Sequence, residues 1–181
     1  RLNQLLVLLG LCRAVDAAAA VAAVIDRTDA GGAPSTGINP YFRGRIDMRR
    51  VPHFDRLLSI AFCAERLGEP CLAAPLEALL EREFVGGYAH RGLDGAGQRY
   101  QGALAEVHLA AAATRCGSLD AARRLAGFCA EAHAILARFA SRELQQVVGP
   151  ALGPDRAAWE ACLRRRRRLT PRPLPPTDPA F

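Results

Sequence analysis

Apolar residues recur along this chain at intervals of three and four. Phe54, Leu57, Leu58, Ala61 and Phe62 form one such stripe, and Tyr100, Ala103, Leu104, Val107 and Ala111 a second. Leu125, Phe128, Ala132, Leu136 and Phe139 form a third. That spacing lines one face of a helix and leaves the other face to water. Alanine and leucine dominate, and the runs of Val, Ile, Thr and Tyr that mark strands are absent. The pattern predicts an all-α chain. Asp16 is placed to cap a second helix and Ser118 a sixth, while Pro52 and Pro70 suit first-turn positions. Gly31–Gly32, Gly86–Gly87 and Gly149–Pro150 are expected to end helices. Residues 119–148 fit either one long helix or two. A last short helix is expected from about Asp155 to Arg168, with Trp159 and Leu163 one turn apart to dock it as a cap.

The layout repeats. Stretches beginning at Leu2, Phe54 and Tyr100 each read as a helix, a tight turn and a second helix. The last two align across the turn without gaps, Gly68 on Gly117, Leu72 on Ala121 and Leu76 on Leu125. Val21, Val24 and Ile25 take the places of Leu76, Leu79 and Leu80 in the first stretch, with a turn that reads as shorter. One helix pair cannot bury its apolar face alone, whereas stacked pairs can. The turn text LGEPCLAAPLEALL, with Leu67, Gly68, Glu69 and Pro70 before the Leu76/Leu79/Leu80 pattern, resembles HEAT-type repeats. The resemblance is clearest over 54–83, weaker over 100–130 and weakest over 2–27. It implies a short right-handed α-solenoid of about three antiparallel helix pairs with a capping helix. It implies no particular ligand, since such solenoids bind many things. On this reading residues 1–163 form the repeat domain, with long loops at 28–52 and 84–98. Residues 164–181 form a disordered arginine- and proline-rich tail.

Charge changes the picture less than the totals suggest. The net charge is +6, but six arginines and one aspartate fall within residues 164–181, so the body is nearly neutral. Every basic residue is arginine, which together with abundant Ala, Gly and Pro matches the codon bias of a GC-rich bacterial genome. Arginine was therefore not necessarily selected over lysine for its fork geometry. The opening RLNQLLVLLGLCRAVD reads as a helix already under way and suggests a fragment of a larger protein. A remnant signal segment is the rival reading, opposed by Arg13 and Asp16. The same charges argue against a membrane span. The six cysteines lack zinc or redox spacing and read as small buried hydrophobes in a reducing cytosol. Only Cys162, beside the arginine run, has an electropositive neighbourhood.

Candidate chemistry is sparse. The first long loop carries Tyr41, Phe42, Arg43, Arg45, Asp47, Arg49 and Arg50. Its guanidiniums suit an anionic ligand or an acidic partner surface, and its apolar residues suit a strap packed across the helices. The second loop is glycine-rich but has no phosphate-loop lysine. Its GGY…GQRY text also resembles loops of prenyltransferase and terpenoid-cyclase toroids, whose aspartate-rich motif and zinc ligands have no counterpart here. His53, His90, His108 and His133 show no metal spacing, and His108 reads as a partly buried histidine. No catalytic cluster, cofactor or metal is expected. Arg164, Arg165, Arg166, Arg167 and Arg168 are candidate phosphate contacts, without the interleaved aromatics that base stacking needs. Arg172–Pro176 partly resembles a proline-rich ligand of SH3-type domains. The expected function is a non-catalytic protein-interaction or scaffolding module, binding a protein partner through its inner helices and the Tyr41–Arg50 loop. The alternatives are a C-terminal accessory domain of a multidomain enzyme such as an oxidoreductase, and a nucleic-acid-associated protein. The expected setting is cytoplasmic, with no membrane partner.

Overall fold

The computed structural model describes residues 1–29, 54–86, 97–130 and 134–175. Among them are eight α-helices and no strand, so the chain is all-α. They are α1 (Leu2–Leu11), α2 (Ala18–Asp26), α3 (Phe54–Leu67), α4 (Ala73–Leu80), α5 (Gly97–Arg115), α6 (Leu119–Phe128), α7 (Ala134–Val148) and α8 (Arg156–Arg164). Helix α3 packs between α1 and α5, and α2 touches α4. Helix α5 also meets α4, α6 and α7, and α8 rests on α6.

Small residues set these approaches. A Cβ on Gly10 would stand 3.0 Å from the Cys63 Cα, so glycine lets the α1 backbone lie directly on α3. Ala110 to Ala113 do the same for α5, which is buried without interruption from Gly102 to Cys116. That burial explains why the α5 text mixes apolar residues around its whole circumference. Helices α3 and α5 therefore have almost no free surface to offer a ligand.

The three turns are built alike. Arg13, Gly68 and Gly117 each have positive φ and follow α1, α3 and α5 respectively. A short 3-10 turn follows in two of them, Val15–Ala17 and Pro70–Leu72. Counted from Arg13 and Gly68, Val21, Val24 and Ile25 fall on Leu76, Leu79 and Leu80 with no deletion. The shorter turn expected in the first stretch is therefore not there. An arginine occupies the place where the eye looks for glycine, because a left-handed residue need not be Gly when its side chain gains a partner.

Other boundaries confirm or correct the sequence reading. Ser118 caps α6 by accepting from the Ala121 N–H at 2.9 Å. Asp16 lies inside the 3-10 turn and makes no cap bond to α2. Pro70 opens its 3-10 turn, and Gly149, at φ +108°, ends α7. Helix α4 stops at Leu80, well before Gly86. Residues 119–148 hold two helices, the first ending at Phe128 with Cys129 as its cap. Helix α8 ends at Arg164, short of Arg168. Asp155 caps it, and Trp159 and Leu163 are wholly buried as its anchors. The Trp159 indole N–H donates to the Gly153 carbonyl at 2.7 Å.

The largest correction concerns the tail. Residues 165–175 are neither helical nor disordered: Leu169 and Leu174 are buried and the segment is bonded to the helical body. Two leucines and three prolines in seven residues supply apolar contact, and proline lowers the entropy lost on ordering.

Candidate functional site

The predicted binding loop, Tyr41, Phe42, Arg43, Arg45, Asp47, Arg49 and Arg50, lies outside the described residues, as do His53, His90 and His133. His108 is buried on α5, its ring 4.5 Å from that of Phe139 on α7. Burial, and then the charge of Arg142, hold it down to about 3, so it is a neutral core residue rather than a proton carrier at ordinary pH. No group of His, Cys, Asp and Glu among the described residues is arranged to hold a metal. No described helix is long and apolar enough to cross a membrane. Cys63, Cys116 and Cys129 are buried, and burial pushes each thiol up to about 12, which makes them unreactive filling.

Three surface features remain, and the first is on α1. Its inward residues, Leu6 and Gly10, meet the core. Leu5, Leu8 and Leu11 are 51%, 55% and 59% exposed, with Leu2 and Val15 at either end of the same exposed set. Spaced by threes, these leucines follow one side of the helix.

The second feature is the arginine run. Arg166 donates to the Val148 carbonyl at 2.7 Å, capping α7. Arg164, Arg165, Arg167 and Arg168 stay exposed and form no ion pair with a described residue. They are held at both ends, by α8 before them and buried Leu169 after them, so they form a fixed patch instead of a loose arm. Arg165 and Arg166 border a groove of about 440 Å³ floored by Pro150, Leu152, Ala158 and Ala161, with Cys162 at its side.

The third feature is the edge formed by the turns. The tail crosses all of them. Pro171 rests on Gly117 and Pro173 on Gly68, and the Arg13 guanidinium donates to the Leu174 carbonyl. The Arg172 N–H donates to the Arg115 carbonyl at 2.8 Å, and the Leu174 N–H to the Glu65 carbonyl at 2.7 Å. Both acceptors lie in the last turns of their helices, where carbonyls have no partner within the helix. Behind this edge lies a buried ionic group. Arg115 pairs with Glu143 at 2.7 Å, both nearly inaccessible to water, and also bonds Gln146 and the Arg172 carbonyl. Beside them Glu65 pairs with Arg66 at 2.7 Å. Burial, reinforced by Glu143, pushes the Glu65 carboxyl up to about 7 despite Arg66 and Arg115.

Sequence reasoning found Trp159, Leu163 and Ser118, and missed the turn edge. The tail's alternation Leu169, Pro171, Pro173 and its closing Leu174 was a usable signal, since a two-residue period suits an extended segment with one face covered. Glu65, Arg115 and Glu143 gave no signal, because charges at helical spacing read as solvated faces. No family model, curated protein or solved structure matches the chain.

Proposed function

We propose that the chain is a non-catalytic protein-interaction module, a short right-handed α-solenoid of three antiparallel helix pairs resembling HEAT repeats, which docks a partner helix on its free α1 face. The solenoid reading is supported by the matched turns at Arg13, Gly68 and Gly117 and by the succession α1, α3, α5. The single observation behind the docking role is the exposed stripe Leu2, Leu5, Leu8, Leu11 and Val15. Its occupant is a helix with an apolar face, because α3 already covers α1 from the other side in that way and the stack continues by the same contact. That helix comes from a separate protein or from a domain joined to this chain, as in an accessory domain of a multidomain enzyme. The setting proposed is the cytosol, in keeping with three thiols buried as core residues.

A photo-crosslinking residue in place of Leu8 tests this. A single adduct on helical residues of a partner or of an attached domain, abolished by Leu5→Glu, is expected. Leu5 is exposed, so that substitution leaves the melting temperature nearly unchanged. An adduct that also forms from the exposed position 123 of α6, or that survives Leu5→Glu, refutes the docking role.

A second reading rests on the four exposed arginines. They suit phosphates of a nucleic acid, with an affinity that falls steeply as salt rises. Equal binding by the chain and by a variant with Arg164, Arg165, Arg167 and Arg168 changed to Gln excludes it.

A further inference from the structure

The tail meets the turn edge as a ligand meets a groove. Between Pro171 and Pro175 the only backbone N–H groups are those of Arg172 and Leu174, and both are bonded to the body. The carbonyls of the same two residues accept from the guanidiniums of Arg115 and Arg13. The alternation of bonded positions gives the segment a two-residue period, which an extended chain has and a helix lacks. The intervening prolines lie on the two glycines. A Cβ on Gly68 would come within 2.7 Å of Pro173, and one on Gly117 within 3.3 Å of Pro171. Leu169 and Leu174 bury their side chains, while Thr170, Arg172, Pro173 and Pro175 remain exposed. Recognition therefore reads backbone, two proline rings, two leucines and the Arg172 guanidinium, which donates to the Gln146 carbonyl at 3.0 Å. Backbone bonds at alternate residues with apolar contacts between them hold an extended segment, and proline lowers the entropy lost on ordering it.

We propose that this edge is a binding groove for an extended segment of the pattern Leu-x-Pro-Arg-Pro-Leu on a partner protein, and that residues 169–174 are its resident occupant and competitor. The segment forms no helix and buries only two side chains deeply, so it belongs to the parts of a fold that open first. Tethering gives it a high effective concentration at the groove. An outside segment then binds with an affinity lowered by the fraction of time the groove stands empty. The surface uses different residues from the α1 stripe, and the two docking events are separable.

The test uses the full chain and a labelled peptide of residues 168–175, followed by fluorescence anisotropy. In the variant Leu169→Ser/Leu174→Ser the tethered competitor is weakened while the groove is untouched. The peptide is expected to bind this variant at least tenfold more tightly than the unaltered chain. A control peptide carrying the same two serines is expected to bind neither. Peptide binding to the variant no tighter than to the unaltered chain, or absent from both, overturns the proposal. So does equal binding of the control peptide. Loss of helical circular dichroism in the variant also overturns it, since the tail would then be part of the core and not an exchangeable ligand.

Discussion

Gly68 and Gly153 offer a controlled comparison. Both have φ +62°, so an alanine at either carries the same left-handed strain. They differ in surroundings. A Cβ at Gly153 meets nothing within 4 Å, whereas at Gly68 it lies 2.7 to 2.8 Å from three atoms of Pro173. The left-handed conformation costs a non-glycine residue roughly 1–2 kcal/mol. Alanine returns about 0.4–1 kcal/mol of that by narrowing the unfolded ensemble. Gly153→Ala should therefore destabilise by about 1 kcal/mol. In Gly68→Ala, Pro173 cannot yield by rotating a flexible end, because the contacts include its backbone Cα. The tail must lift, and with it goes the burial of Leu174, worth about 1.5–3 kcal/mol when complete. The expected total is about 2–4 kcal/mol. Urea unfolding followed by circular dichroism resolves this difference. In thermal unfolding each kcal/mol moves the midpoint by about 2–4 °C for a chain of this size. Adding Pro173→Ala to Gly68→Ala should recover little, because the Cα and Cβ contacts remain. Equal effects of the two glycine substitutions, within about 0.5 kcal/mol, would show that the tail does not sit on the turn.

Arg115→Ala should destabilise by about 3–5 kcal/mol, because buried Glu143 keeps only the exposed Arg142 at 3.9 Å, whereas Arg115→Met with Glu143→Leu should recover most of the loss in chemical denaturation. Trp159→Ala should cost about 3–5 kcal/mol and release α8 from α6, visible as increased proteolysis between Gly149 and Arg164. His108 has a folded pKa below its unfolded one, so its contribution is complete above about 6.5 and is lost toward about 3, by up to about 1.4 kcal/mol per pH unit. His108→Phe should flatten that acid limb in a pH series of melting curves. Glu65 has the opposite sign: its folded pKa is raised from 4.5 to about 7, so its contribution is complete below about 4.5 and is lost as pH rises through 7. Glu65→Gln should therefore gain stability at pH 8 relative to pH 5, and a variant with the same pH dependence as the parent would contradict the burial account.

The sequence by itself determined that the chain is all-α, where most of its helices begin, and which residues anchor the last one. Phe54, Leu57, Leu58, Leu76, Leu125 and Phe128 are core residues as their spacing foretold, and Trp159 and Leu163 dock α8. Local periodicity and capping are properties of a few neighbouring residues, so they are written in the text of the chain. What only the tertiary structure decided lies between segments distant in sequence. Arg13 reads as an ordinary charge, and becomes the third member of a turn series because Leu174 supplies its partner. Arg115 and Glu143, 28 residues apart, become a buried pair because α5 and α7 meet. The proline-rich tail reads as disordered, and is fixed because three separately built turns present carbonyls and glycines along one edge. Even the arginine run changed in this way, since capping Val148 withdraws Arg166 from the patch that composition suggested. Pairings of this kind depend on the relative placement of helices, which no local pattern encodes.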